Sequence, residues 1–275
     1  MGYNRQEAKW LARDAMRGAR PNPVLVTLVY LLLTGVLGSI VLSYVAAPFE
    51  AAYFYLTETT YSVEEIMTSI FTFSRLGLIF LMQFLLSLYN WVMGYGYTSY
   101  CLRMARREGP SYRNLLDGFY HIGRSLGVGF LTSLFTFLWG LIGVAFYMVM
   151  VMLSVVSGLM FPAMIGVVGM ALWTVIVNCR YRLAPYFLLD NPEMGALEAI
   201  RHSKSAMRGH IVDLFVQDLS FLGWTLLVPF TLGILSFWLD PYMGAAQANF
   251  YSWVVYGSFP GQPQSNSWQG PYGNL

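Results

Sequence analysis

The feature that most constrains this chain is a long uncharged stretch: residues 125–179 contain no Asp, Glu, Lys or Arg. About 20 apolar residues cross the hydrocarbon core of a bilayer, so this stretch holds two crossings and a turn. Only 11% of the 275 residues are charged, less than half of the roughly 25% that is typical of a soluble domain. The sequence therefore predicts an all-α, polytopic helical membrane protein.

Five apolar runs are long enough to span the membrane, and we place them at residues 24–46, 76–101, 126–153, 162–178 and 211–239. We expect Pro48 to end the first span, and Pro229 and Gly233 to bend the fifth. Asp240 and Pro241 form a helix-start signature. The helix that follows either crosses as a short sixth span or lies at the membrane interface.

Three parts follow from this pattern: a basic interfacial helix over residues 1–23, a helical membrane domain over 24–257, and a tail over 258–275. The tail is rich in Gly, Pro, Gln, Ser and Asn, and we expect it to be disordered. A polar, acidic loop over 49–74 separates the first two spans, and a short amphipathic helix is expected within residues 62–74.

The basic residues are distributed very unevenly. All but one of the sixteen precede the first span or lie between the second and third or the fourth and fifth spans; the exception is Arg75. The positive-inside rule then places the N-terminus in the cytoplasm and the protein in the cytoplasmic membrane. No charged residue follows Asp240, so the rule leaves the side of the C-terminus open: cytoplasmic with six spans, external with five.

Three basic segments are expected to form helices at the cytoplasmic interface. The first covers residues 4–20, is capped by Asn4, and carries a basic residue at every fourth position; a recognition helix for a membrane protein partner is the alternative. The second contains a short helix capped by Ser111. In the third, Asn191 as cap and Pro192 at the first helical position predict a helix start, and Gly209 is expected to end that helix.

Ionisable residues near the ends of the fourth and fifth spans are the strongest candidates for a polar site. Charges within a membrane are costly and tend to pair or to face a polar cavity. We expect interhelical ion pairs here, and a proton or substrate site is the alternative. The candidate residues are Arg180, Arg182, Asp190, Asn191, Asp213 and Asp218.

The sequence shows no constellation of residues typical of an enzyme, a metal site or a cofactor site. The histidines His121, His202 and His210 form no metal-ligand pattern, and Cys101 and Cys179 are expected to be free thiols. A net charge of +2 does not suggest nucleic-acid binding. The leading hypothesis is a non-enzymatic protein that binds anionic lipid headgroups or a partner protein. A small-solute transporter or permease subunit is the alternative, and a membrane-embedded lipid enzyme is the weakest reading.

Three arginines that follow the second span are the expected contacts for anionic lipid, namely Arg103, Arg106 and Arg107. Each basic residue near an anionic membrane surface contributes about 1 kcal/mol to binding. Because the three lie close together in sequence, we expect them to act jointly on the headgroups.

Residues 184–224 resemble an uncharacterised family of bacterial integral-membrane proteins, the domain-of-unknown-function family 975. The likeness rests on Ala184-Pro185-Tyr186, Asp190-Asn191-Pro192, the run Gly195 to Ile200, Asp218 to Phe221, and Gly223-Trp224, with a second block at Pro241-Tyr242 and Asn249-Phe250-Tyr251. It implies a multi-span, all-helical protein of the cytoplasmic membrane and supplies no catalytic residues. The chain is also distantly similar to the membrane domain of some glycerophosphodiester phosphodiesterases, whose catalytic domain is not found in these residues.

Overall fold

The computed structural model describes residues 2–57 and 73–260, and it describes side chains for residues 2–47 and 75–260. The amphipathic helix expected within 62–74 and nearly all of the predicted tail lie outside the described residues. Within them the chain is helical and contains no strand, which confirms the all-α prediction. The helices are α1 (Arg5–Gly18), α2 (Pro23–Thr57), α3 (Phe73–Arg106), α4 (Asp117–Tyr120), α5 (Ile122–Ser157), α6 (Phe161–Tyr181), α7 (Ala184–Asp190), α8 (Ala196–Ala206), α9 (Ile211–Leu219), α10 (Leu222–Leu227) and α11 (Ser236–Tyr256).

Five segments of the described chain are long and apolar enough to cross a membrane: Pro23–Ala47, Arg75–Arg106, Ile122–Ser157, Phe161–Asp190 and Ile211–Thr231. The protein is therefore a multi-pass membrane protein. Helix α2 continues through Pro48 to Thr57, so the prediction that Pro48 ends it is wrong. Membrane helices tolerate an internal proline because neighbouring groups satisfy the freed carbonyl.

Capping residues were predicted with mixed success. Asn4 accepts a hydrogen bond from the Glu7 amide (3.3 Å), and Ser111 begins a 3₁₀ helix, Tyr112–Leu116; both predictions are confirmed. The helix start predicted at Asn191 is wrong. The chain is already helical in α7, so Asn191 ends that helix, with its amide bonded to the Phe187 carbonyl (3.0 Å). Helix α8 begins five residues later, at Ala196.

The start predicted at Asp240 and Pro241 is also displaced. Helix α11 begins at Ser236, and Pro241 lies inside it. The fifth candidate span shows the expected disturbance near Pro229 and Gly233: α9 and α10 are separated at Ser220 and Phe221, a 3₁₀ turn follows at Pro229–Thr231, and Gly233 has a positive φ of 82°. The apolar segment Ile211–Thr231 is thus three short helical pieces.

Buried residues are concentrated in one layer, which we call the basic platform and define as residues 5–20, 103–125 and 184–219 together with α11. Its two buried clusters are centred on α7, α8 and α11 and on α1, α3 and α11. By contrast, only 6–17% of the most apolar window of each candidate span is buried. The exposed surfaces of the spans are mostly apolar, as contact with lipid requires.

The four unbroken spans pair off as two helical hairpins. In one, α5 and α6 pack closely, and the Trp173 indole donates to the Trp139 carbonyl (2.8 Å). In the other, α2 and α3 are joined by the Thr27 and Tyr97 hydroxyls (2.9 Å) and by a stacked Tyr30–Tyr97 pair at 4.4 Å. The two pairs meet at the basic platform.

Candidate functional site

Helix α1 packs against α11 through small residues. Ala8, Ala12 and Ala15 are buried, and Asn249 on α11 donates its side-chain amide to the Ala8 carbonyl (2.9 Å). Alanines let two helix backbones approach closely. Lys9 sits at the edge of this contact, where burial, and then the nearby arginines, lower the pKa of its ammonium group. The remaining basic side chains of α1 point away from the contact, so docking leaves the charged side of the helix exposed.

An ion pair joins three elements at the centre of the platform. Both guanidinium Nη atoms of Arg106, at the end of α3, donate to Asp190, at the end of α7, at 2.7 Å. The same carboxylate accepts the Tyr251 and Tyr256 hydroxyls of α11, both at 2.8 Å. Asp190 therefore receives four hydrogen bonds, and its side chain is only 11% exposed.

The two tyrosines act as donors in this cluster. Burial, and then the Asp190 carboxylate, raises the pKa of the Tyr251 and Tyr256 phenols above the ordinary value. Both groups thus keep their protons and can donate to Asp190 at any physiological pH. With four donors, the Asp190 carboxylate is held in one orientation and ties α3, α7 and α11 together.

The ionisable residues predicted between the fourth and fifth spans fall into separate places. Arg182 donates to Asp218, whereas Asp213 lies 3.3 Å from the ring of His210. Arg180 stacks its guanidinium on the Trp139 ring at 5.8 Å. The structure therefore brings Arg182 and Asp218 together and keeps Asp213 and Arg180 apart from them.

The three arginines predicted to contact lipid also differ. Arg103 is exposed and forms no ion pair in the described part of the chain. Arg107 is exposed, has a positive φ of 59°, and pairs with Asp14 on α1. Arg106 instead points inward to Asp190. Two of the three predicted contacts are thus available at the surface.

Sequence reasoning missed the tyrosines of the central cluster and the role of Arg124. Tyr251 and Tyr256 lie 61 and 66 positions from Asp190, and no local pattern links residues so distant. Arg124 donates to the carbonyls of Leu188 and Asn191, both at 2.7 Å. The sequence feature that could have drawn attention to Arg124 is its position directly before the uncharged stretch. Among the described residues, no group of three His, Cys, Asp or Glu side chains is placed to hold a metal ion.

The fold and this polar layer define an all-α, multi-pass membrane protein. Residues 1–256 match the family described as "Protein of unknown function (DUF975)", and the chain belongs to that family. No curated protein and no solved structure matches it.

Proposed function

We propose that this is a non-enzymatic protein of the cytoplasmic membrane, with its N-terminus in the cytoplasm, whose basic platform binds anionic phospholipid headgroups. The observation that carries the proposal is the excess of exposed cations on that layer. Among the described residues, the exposed bases there are Arg5, Arg13, Arg17, Arg20, Arg103, Arg107, Arg113, Arg201, Lys204 and Arg208, and the exposed acids are Glu108, Glu193 and Glu198.

Aromatic side chains support an interfacial position for this layer. Trp10, Tyr112, Phe119 and Tyr120 are all exposed and lie within the basic segments. Tryptophan and tyrosine are enriched where a membrane protein meets the headgroup region, because their rings have an apolar body and a polar edge, whereas Phe119 supplies apolar surface alone. Cations beside such rings would lie at the depth of the lipid phosphates.

The test compares lipid binding by charge variants. Purified protein in detergent is titrated with phosphatidylglycerol or phosphatidylcholine, and bound lipids are counted by native mass spectrometry. Replacing Arg103, Arg107 and Arg113 together by Gln should reduce the number of bound phosphatidylglycerol molecules and leave phosphatidylcholine unchanged. The matched control replaces the same three residues by Lys, which keeps the charge and should retain binding. Equal binding of both lipids by the unaltered protein would contradict the proposal.

Transport of a small solute is the second candidate, and the Arg182–Asp218 pair favours it. Both side chains are partly exposed, 35% and 25%, and paired charges near a membrane span often line a solute path. If the pair serves transport, Asp218→Asn should abolish solute uptake by proteoliposomes and still give a folded, monodisperse protein. Loss of folded protein would assign the pair to structure instead.

A further inference from the structure

A cleft of about 430 Å³ with several polar side chains in its wall lies where the two helical hairpins meet, between α3, α5 and α6. Trp91 and Tyr95 form part of its wall. Three spans and the segment that follows α6 contribute its polar side chains, which are Asn90, Thr98, Ser125, Thr132, Ser133, Asn178, Tyr181 and Arg182. Most of these residues lie within helical segments that are long and apolar enough to cross the membrane.

Polar groups at this depth need a polar neighbour. Asn90, Ser133 and Asn178 are exposed in the wall of the cleft. An unsatisfied polar group costs several kcal/mol in a hydrocarbon environment, so hydrocarbon alone does not suit this cleft. Its lining calls for a ligand with hydrogen-bonding atoms.

The surroundings of the cleft change character along the helices. One turn farther from the basic platform, Phe137 follows Ser133 on α5 and Val175 precedes Asn178 on α6, and both are exposed. Residues three or four apart share a helix face. The cleft is therefore polar near the platform and is continued by apolar side chains toward the membrane centre, which is the polarity profile of a phospholipid.

Two arginines beside the cleft offer guanidinium donors. Arg182 lines the cleft, and one of its guanidinium nitrogens donates a hydrogen bond to the Asp218 carboxylate. Arg124 directly precedes the cleft residue Ser125; it bonds only carbonyl oxygens, and its Nε is buried without a partner. The Asp117 carboxylate and the Arg124 guanidinium both act electrostatically on Tyr95 of the cleft wall, so the two guanidinium groups are balanced by two carboxylates and offer N–H donors to a phosphate.

From these observations we propose that the cleft binds the phosphate-bearing headgroup of one phospholipid, with the acyl chains along the apolar faces of α5 and α6. This site rests on the proposed lipid-binding function and adds one specific, stoichiometric lipid to the looser binding at the surface arginines. It differs from those arginines in position and in lining.

Glycine substitutions can test the cleft without disturbing the fold. Gly94 lines the cleft, and a Cβ added there meets nothing within 4 Å. Gly94→Leu should therefore fill the cavity. The matched control is Gly77→Leu, on the same helix and also with nothing within 4 Å, but outside the cleft lining. The measurement is native mass spectrometry after a detergent wash, with phosphatidylglycerol as the probe.

The unaltered protein and Gly77→Leu should each retain one phosphatidylglycerol molecule that survives washing, and Gly94→Leu should lose it. If Gly94→Leu retains that lipid while the surface arginine variant loses its bound lipids, the cleft proposal fails and the proposed function stands. Equal occupancy by sn-glycerol 3-phosphate alone would overturn the assignment to a lipid. Retention of an unrelated small solute would do the same and would favour transport.

A separate set of contacts concerns the fifth candidate span. Helix α1 runs antiparallel to α11 along its length: the Tyr3 ring lies 5.0 Å from the Trp253 ring, Ala8 bonds Asn249, and Arg13 shares a cavity wall with Trp238. Both ends of α11 therefore lie in the layer of α1, on the side of the membrane that holds the N-terminus.

The segment before α11 starts in the same layer. Lys9 on α1 donates to the Ser220 carbonyl (3.3 Å), and its ammonium lies 4.3 Å from the centre of the Phe221 ring. Phe221 belongs to one buried cluster with Leu239, and Val228 and Leu235 pack against that cluster. The chain thus leaves the platform after Phe221 and has returned by Leu235.

An excursion this short cannot cross the bilayer. At 1.5 Å per helical residue, an arm of about seven residues reaches about 10 Å, against about 30 Å of hydrocarbon. The exposed Thr225 and Thr231 donate their hydroxyls to backbone carbonyls of the same segment. The large exposed side chains are apolar, namely Leu222, Trp224, Leu226, Leu227, Phe230, Leu232 and Ile234. We infer that residues 222–235 form a re-entrant hairpin inserted into the bilayer from the platform side, so that both ends of the described chain lie on that side.

Cysteine labelling distinguishes this topology from a full crossing. Cys101 and Cys179 are buried and should not react with the maleimide, so labelling reports the introduced cysteine alone. Thr231→Cys, in the hairpin, should resist a membrane-impermeant maleimide applied from the side that labels Ser157→Cys, at the α5–α6 turn. Ser205→Cys, at an exposed position of α8, reports labelling from the platform side. Labelling of Thr231→Cys from the Ser157 side, at the rate of Ser157→Cys, would overturn the inference.

Discussion

The guanidinium of Arg106 and the carboxylate of Asp190 meet through two parallel hydrogen bonds of 2.7 Å, although 84 positions separate the residues. The pair ties the end of α3 to the end of α7. Because Tyr251 and Tyr256 bond the same carboxylate, α11 is held at the same point. Three elements remote in sequence are fixed by one acidic side chain.

We therefore expect Asp190→Ala to destabilise the protein strongly. The change leaves the Arg106 guanidinium, 20% exposed, without its counter-ion, and breaking a buried pair costs about 3–5 kcal/mol. Thermal unfolding in detergent measures the loss. Asp14→Ala is the control, because it removes the exposed Arg107–Asp14 pair, and exposed pairs contribute about 0–1 kcal/mol. Similar losses in the two variants would count against the central role of Asp190.

The spans and the first caps could be predicted because their signals are local. An uncharged stretch indicates a span by its length, and Asn4 and Ser111 each cap a helix that begins at the next residue. These features depend on the chain within a few residues. Tertiary packing therefore did not alter them.

The platform could not be predicted in the same way. The Asn191-Pro192 pattern is a valid helix start, but the preceding residues are already helical in α7 and Asn191 serves as its end. Asp190 is drawn to Arg106 by packing of α3 against α7, and no periodicity encodes that contact. The break after Leu219 likewise depends on contacts of α1 with Ser220 and Phe221.

Gly96 on α3 and Gly118 on α4 each lie against the backbone of a neighbouring element and should tolerate no side chain. A Cβ on Gly96 would lie 2.1 Å from the Leu115 carbonyl oxygen, and one on Gly118 would lie 1.9 Å from the Val92 carbonyl oxygen. The obstacle is backbone in both cases and cannot move aside cheaply. We expect each of Gly96→Ala and Gly118→Ala to lower the free energy of unfolding by about 2 kcal/mol or more, because overpacking typically costs roughly 1–3 kcal/mol.

Gly94→Ala is the matched control for Gly96→Ala, since a Cβ there meets nothing within 4 Å. The yield of monodisperse protein and the unfolding temperature measure the effect. Gly94→Ala should behave as the unaltered protein, whereas the other two variants should give little folded material. Normal folding of Gly118→Ala would show that α4 can shift away from α3.

The Arg182–Asp218 pair should show energetic coupling. It joins the residue after α6 to α9, and directly contacting residues in an ion pair couple by about 0.5–3 kcal/mol. A double-mutant cycle of Arg182→Ala and Asp218→Ala, read by thermal unfolding, gives the value. The charge exchange Arg182→Asp with Asp218→Arg should recover part of the stability lost in either single change. Additive losses with no recovery would mean that the two side chains act independently.

The buried alanines of α1 allow the packing of this helix against α11 to be tested. Ala12 is fully buried, so Ala12→Leu forces α1 away from α11 at a cost of about 1–3 kcal/mol, as overpacking does. Each 1.4 kcal/mol corresponds to a tenfold change in the undocked population. Trypsin should therefore cleave after Arg13 and Arg17 roughly tenfold faster or more in this variant. Gln6→Leu, at an exposed position of the same helix, should leave the rate unchanged. If both variants are cleaved at the rate of the unaltered protein, α1 does not depend on those alanines for its position, and the re-entrant topology loses one of its supporting contacts.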